Sequence, residues 1–190
     1  MFWLLVGTVS GACAQQCDRF AQGYDDQLLV SFLKQELATK SDAVCIAFAL
    51  RKLGTDHAAP LSAVPVLTAY LDFKRPLTPA ETAGAFRRPA TTAEMYPASS
   101  VLYLIGKSAL PALLKAMSDE ESTLDKKRNA ISTVMDMYQG NQEDGIRFLR
   151  AASNKMKDPM RAQRLAEAAK EALHWCIPEK KAACEAAIEP

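Results

Sequence analysis

The stretch Tyr96–Met117, YPASSVLYLIGKSALPALLKAM, decides how the chain is read. Val101, Leu102, Leu104 and Ile105 place apolar side chains on more than one face of a first helix, which predicts a helix buried between neighbours. Gly106 follows at once, and glycine most readily takes the left-handed conformation that ends a helix. Ser108 offers a side-chain oxygen as an N-cap. Pro111 then falls inside the first turn of a second helix, where backbone N–H groups lack intrahelical partners. Leu110, Leu113, Leu114 and Met117 follow at i, i+3, i+4 and i+7. Together these features predict a helical hairpin.

A related stretch, FALRKLGTDHAAPLSAVPVLTAYL, occupies Phe48–Leu71. Leu50 and Leu53 precede Gly54. Ser62 stands before Pro65 at the same offset as Ser108 before Pro111, and Val64, Leu67 and Leu71 mark a second helix over 62–73. The copies differ by extra residues between glycine and serine. Around them the chain reads as further helices. Asp25 or Asp26 caps a leading helix with Leu28, Leu29, Phe32, Leu33 and Leu37 inward. Ser41 caps the next, which runs to Leu53 with Val44, Ile46, Phe48, Ala49 and Leu50 inward. Downstream, Leu124–Gln139 buries Ala130, Ile131, Val134, Met135 and Tyr138 and stops at Gly140. Asn141 caps a helix carrying Ile146, Phe148, Leu149 and Ala152. Asp158-Pro159 pairs an N-cap with proline at N1 and opens a helix bearing Leu165, Ala168, Ala169, Ala172 and Leu173. Pro178 opens a last short helix. Residues 74–94 interrupt the rhythm with prolines and threonines and form a long loop, where Thr78-Pro79-Ala80-Glu81 reads as a capping box.

The chain resembles the HEAT-repeat family, in particular bacterial HEAT-like arrays, at two places. These are Ala49-Leu50…Leu53-Gly54 with Val64-Pro65-Val66-Leu67, and Leu102…Ile105-Gly106 with Leu110-Pro111-Ala112-Leu113. The match covers about a third of the chain and specifies fold rather than activity. The resemblance implies an all-α, short right-handed α-solenoid of about four HEAT-like helix pairs plus a leading helix, its concave face lined by the second helices. Such arrays bind other macromolecules, so a protein partner is expected. The resemblance also admits an enzyme or enzyme-assisting subunit of the bilin-lyase type.

Residues 1–14, MFWLLVGTVSGACA, carry no charge and end in an A-x-A pattern. They read as a signal peptide, with 15–190 as the helical domain. The apolar run is too short to span a bilayer, and no transmembrane segment is expected. No Lys or Arg precedes that run, and two other readings stay open: a lipid anchor at Cys13 and an uncleaved helix. Setting Cys13 aside leaves Cys17, Cys45, Cys176 and Cys184, which allow three pairings. The economical one is Cys17–Cys45 with Cys176–Cys184, each stapling a terminal helix to its neighbour. Buried reduced thiols in a cytosolic protein, or a zinc site from His174, Cys176 and Cys184, are the competing readings. Export to the periplasm or medium is the reading that accounts for both termini.

The formal charge of +1 supplies no basic field for nucleic acid, and none is expected as a partner. Hydrophobic residues make up 49% and charged residues 24%, the balance of an ordinary globular chain. No nucleophile elbow, phosphate loop, H-E-x-x-H or haem motif is present, so no catalytic residue, metal or cofactor is expected. Of the two histidines, His57 lies in a turn, and His174 lies at a helix end two positions from Cys176, a spacing at which helix side chains diverge and a nucleophile pair is not expected. Candidate partner-binding residues are Arg75, Arg87 and Arg88 in the long loop and Arg147 and Arg150 on a second helix. The sequence therefore points to an exported, non-enzymatic scaffold, with the lyase-type enzyme and a structural envelope component as alternatives.

Overall fold

A computed structural model describes residues 17–55, 59–84 and 90–189. The described residues are all-helical, with no strand among them. Phe20 and Cys17 anchor the lead-in, which forms a 3-10 turn at Asp18–Phe20 instead of an irregular tail. Phe20 stacks on Phe48 at 5.5 Å and meets Phe32 edge-on at 5.3 Å.

Helix α1 spans Asp26–Glu36, and its N-cap is Asp25, whose carboxylate accepts from the Leu28 N–H at 2.7 Å. Leu29, Val30, Phe32 and Leu33 are buried, but Leu28, expected inward, is half exposed. Leu28 lies in the first turn, on the side away from Leu29 and Leu33. Helix α2 spans Ala43–Lys52 and is capped by Asp42, not Ser41. The Asp42 carboxylate accepts from Cys45 N–H at 3.0 Å, while the Ser41 hydroxyl donates to Glu36.

Helix α3 is Val64–Ala69, shorter than the sequence predicts, because 61–63 is a 3-10 turn and Tyr70 leaves the helical region. The long loop contains two short helices, α4 at Pro79–Thr82 and α5 at Thr92–Met95. Both start with a complete capping box, Thr78 with Glu81 and Thr91 with Glu94.

Helix α6 is Pro97–Ile105, and α7 is Leu110–Ser118, joined by a 3-10 turn at Gly106–Ala109. Gly106 ends α6 with φ +75°, as expected of the stop. Ser108 does not cap α7: it lies within the 3-10 turn, which feeds straight into the helix and makes no side-chain cap bond. Nor is α6 buried all round, since Tyr103 and Leu104 are 41% and 52% exposed. The 22 residues Pro97–Ser118 have the length and composition of a membrane span, but the backbone breaks at Gly106, and α6 and α7 pack on α8 rather than closely on each other as the expected hairpin would.

Helix α8 is Leu124–Met137, capped by Thr123; α9 is Gln142–Lys155; α10 is Pro159–Glu171; α11 is Lys181–Ala186. Asp158 caps α10 through the N–H groups of Met160 and Arg161, as expected. Asn141 stands at the N-cap of α9 without a side-chain cap bond.

The packing order is α1 on α2, α2 and α3 on α6, α3 on α7, and α6 and α7 on α8. Helix α7 also packs on α10, and α9 lies against α10 and α11. One continuous core runs through these contacts, with Leu33, Leu50, Leu67, Leu102, Leu113 and Ile131 essentially inaccessible. Burying each such side chain stabilises the fold by about 2 kcal/mol. Polar side chains tie distant helices together where apolar packing alone would allow sliding. The buried Tyr70 hydroxyl donates to Leu33 O at 2.9 Å, and Asn129 Nδ2 donates to Leu71 O at 2.7 Å. Gln142 donates through Nε2 to Trp175 O at 2.8 Å and accepts from Ile177 N–H at 2.9 Å, fixing the chain after α10.

Candidate functional site

The cysteines pair as the economical reading expects. Cys17 bonds Cys45 with Cα atoms 4.8 Å apart, and Cys176 bonds Cys184 with Cα atoms 6.6 Å apart. These bridges are the chemistry of an oxidising compartment. They also decide the metal question at two places. Cys17, Asp42 and Cys45 converge closely enough to hold an ion, but the sulfurs are joined and Asp42 caps α2. Cys176 and Cys184 are likewise committed to each other, beside an exposed His174.

The arginines proposed from sequence lie in three different settings. Arg75 is occupied by its own chain. Its guanidinium holds Glu81 through two bonds of 2.8 and 2.6 Å, and its Nε donates to Glu94 O at 2.6 Å. This fork joins α4 to α5 and organises the long loop from within. It also holds the Glu81 carboxyl far below its ordinary range, at about 2. Arg150 reaches the carbonyl oxygens of Ala187 and Glu189 and closes the end of α11 against α9. Arg147 remains at the surface in an ion pair with Asp144, 2.6 Å away and one turn earlier. Arg87, Arg88, His57 and residues 1–14, expected as a signal peptide and including Cys13, lie outside the described residues.

A site absent from the sequence reading forms where α5, α6 and α8 meet. It is lined by Thr92 and Ala93 of α5, by Ser99, Ser100, Tyr103 and Leu104 of α6, and by Ser132, Asp136 and Gln139 of α8 and the turn that follows it. The groove encloses about 330 Å³. Ser100 donates its hydroxyl to Ala93 O at 3.0 Å, so α5 is pinned to α6 at the rim. Sequence spacing puts Ser99 and Tyr103 one turn apart on α6, and Ser132 and Asp136 one turn apart on α8.

Two groups in this groove are chemically unfinished. The Ser99 hydroxyl is buried and has no hydrogen-bond partner. An unsatisfied buried hydroxyl costs about 1–3 kcal/mol, and because this oxygen is closed to solvent the cost is borne by the fold. Asp136 is exposed and pairs with no cation among the described residues, and partial loss of hydration raises its carboxyl pKa above the ordinary value of 3.8. Tyr103 and Leu104 leave apolar surface open beside both groups. The described lining includes no histidine, cysteine or lysine, and its one carboxyl is that of Asp136. No known protein family, curated protein or solved structure matches the chain.

Proposed function

We propose that the protein is an exported, non-enzymatic scaffold, periplasmic or secreted, that binds another protein through the α5–α6–α8 groove. The observation that carries this reading is the open face of α6. Tyr103 and Leu104 are exposed on a helix whose other side is core, next to the unpaired Asp136 and the unsatisfied Ser99 hydroxyl. Aromatic and apolar anchors flanking a few polar groups are the composition of a binding site. Two disulfides support export.

The architecture is read as a short right-handed solenoid of HEAT-like pairs: α2 with α3, α6 with α7, α8 with α9, and α10 with α11, preceded by α1. The rows α2–α6–α8 and α3–α7 support it, since each helix there lies against the corresponding helix of the next pair, whereas within the pairs only α8 lies closely on α9, and α7 packs instead on α8 and α9 on α10. The contact of α10 with α7 departs from a simple stack and makes the carboxy-terminal end the least regular part.

The test is a photo-crosslinking amino acid placed at Tyr103, with a control at the exposed Met160 on α10. The expected result is a discrete macromolecular adduct from position 103 in the exporting cell and none from 160. Absence of any adduct at 103, with the protein folded and oxidised, would overturn the proposal. Intact mass with and without reductant checks both bridges and the mature amino terminus in one measurement.

A further inference from the structure

We infer that the Cys176–Cys184 bridge is a thiol–disulfide exchange site, attacked by a low-molecular-weight thiol at the Cys176 sulfur and resolved by Cys184. The two bridges differ in access. Cys17 and Cys45 are 2% and 6% exposed, and Cys184 is fully buried. Cys176 is the one bridged cysteine that is only partly covered, and Ile177 and Pro178 beside it are open to solvent. The rate of thiol–disulfide exchange depends on which sulfur the thiolate can reach. Here a thiolate reaches the bridge at its Cys176 end, whereas Cys184 and both sulfurs of the first bridge lie behind packed side chains.

The step balances without an oxidant. The incoming thiolate bonds to Cys176 Sγ, the S–S bond breaks, and Cys184 Sγ leaves with the electron pair and takes up a proton. One thiol is consumed and one is produced. Packing that does not depend on the bridge then keeps the two partners together. Gln142 holds both flanks of Cys176, donating to Trp175 O at 2.8 Å and accepting from Ile177 N–H at 2.9 Å. Helix α11, which carries Cys184, lies against α9, and Arg150 of α9 donates to the carbonyl oxygens of Ala187 and Glu189. The Cys184 thiol therefore stays beside the mixed disulfide. It attacks Cys176 Sγ as its thiolate, expels the small thiol and restores the bridge, with the advantage of a reaction inside one molecule.

The test adds reduced glutathione to the full oxidised chain in anaerobic buffer, quenches samples with N-ethylmaleimide, and maps the peptides by mass. The Cys176–Cys184 bridge is expected to open at least about tenfold faster than Cys17–Cys45, which must first be uncovered. The first modified species is expected to carry glutathione on Cys176 and maleimide on Cys184. Two variants separate the roles. Cys184→Ser, treated with oxidised glutathione, is expected to hold one glutathione on Cys176 stably, since no second thiol is left to expel it. Cys176→Ser is expected to take up glutathione on Cys184 at least about tenfold more slowly.

Three results would each overturn the inference: Cys17–Cys45 opening first or at an equal rate, glutathione found first on Cys184, or neither bridge opening while free cystine in the same tube is reduced. Equal reaction of the two variants would overturn the assignment of attacked and resolving sulfur. The mapping of the unsubstituted chain needs no variant, so it decides the site even where a substitution prevents folding. Failure of the crosslink at position 103 would leave this exchange site standing, because the bridge and the groove share no residue.

Discussion

The two related stretches, Phe48–Leu71 and Tyr96–Met117, which the sequence reads as hairpins, are written in the same grammar and stand in different surroundings. Each carries its proline at the second position of its second helix, and each enters that helix through a 3-10 turn. Their glycines differ. Gly106 adopts φ +75° and ψ −151°, a region nearly closed to other residues, and a Cβ there would meet nothing. Gly54 is not in the left-handed region. A Cβ at Gly54 would stand 3.1 Å from Leu104 Cδ1 and 3.2 Å from Val101 Cγ2, so it is small to let α6 approach. Their surroundings differ as well. The first hairpin is clamped to the lead-in by Cys17–Cys45 and to α1 by the Tyr70 hydroxyl. The second leaves one face of α6 open, and the groove lies there. The same motif thus serves as an anchor in one place and as the wall of an open groove in another.

Removing the clamp has the largest effect. Cys17→Ser with Cys45→Ser opens a loop of sequence separation 28 and is expected to cost about 3–4 kcal/mol, or roughly 10 °C in Tm by calorimetry. The carboxy-terminal bridge, with separation 8, should cost nearer 2.6 kcal/mol, about 1 kcal/mol less. A reversed order would show that the first hairpin is held by its packing, not by its bridge.

The glycines come next. Gly106→Ala is expected to lose about 1–3 kcal/mol in denaturant melts, through backbone strain. Gly54→Ala should lose less than about 1 kcal/mol, since Leu104 can swing toward solvent. Equal losses would erase the distinction drawn between them. Tyr70→Phe leaves Leu33 O without its side-chain donor and should cost about 1 kcal/mol, with faster amide exchange in α1 as the local sign.

Between the hairpins, the Arg75–Glu81 pair gives a pH signature. The folded carboxyl titrates near 2 against an ordinary 4.5. Its stabilising contribution is therefore complete above about pH 4.5 and lost as pH falls toward 2. The Glu81 carboxyl carbon shift should titrate near 2, and a midpoint at 4.5 would break the assignment. The smallest effects belong to the serines. Ser62→Ala and Ser108→Ala should each change stability by less than about 0.5 kcal/mol, whereas a true N-cap would cost about 1.

What the sequence shows and hides follows from distance along the chain. Local signals read correctly. Asp158 before Pro159, Thr78 before Glu81, and the Gly106 stop each act within one turn of helix. Thr91-Thr92-Ala93-Glu94 carries the same capping box as Thr78–Glu81, so α5 was legible in principle, hidden by the loop-like composition around it. Ser62 and Ser108 misled because an oxygen at the right spacing is not a cap when a 3-10 turn already supplies the preceding carbonyls.

Arg75 and Arg150 looked free because their acceptors are Glu81 and Glu94, up to 19 residues away, and Ala187, 37 residues away. The groove was the least visible feature. Ser99 and Asp136 are separated by the whole of the second hairpin's turn and α7. Only the packing of α6 on α8 brings them to one site. The pairs Ser99/Tyr103 and Ser132/Asp136 do share helix faces, but a polar stripe on a helix ordinarily means solvent.

The two bridges have a consequence for how the protein is made. They are neither nested nor interlaced: Cys45 lies far ahead of Cys176. A chain emerging amino terminus first offers Cys17 and Cys45 to each other long before the second pair exists, and the second pair closes within a few residues of its own appearance. Order of emergence alone thus selects these partners from the three pairings open to the four cysteines. On the proposed export route, oxidation then needs only an electron acceptor, with no shuffling of wrong bonds afterwards.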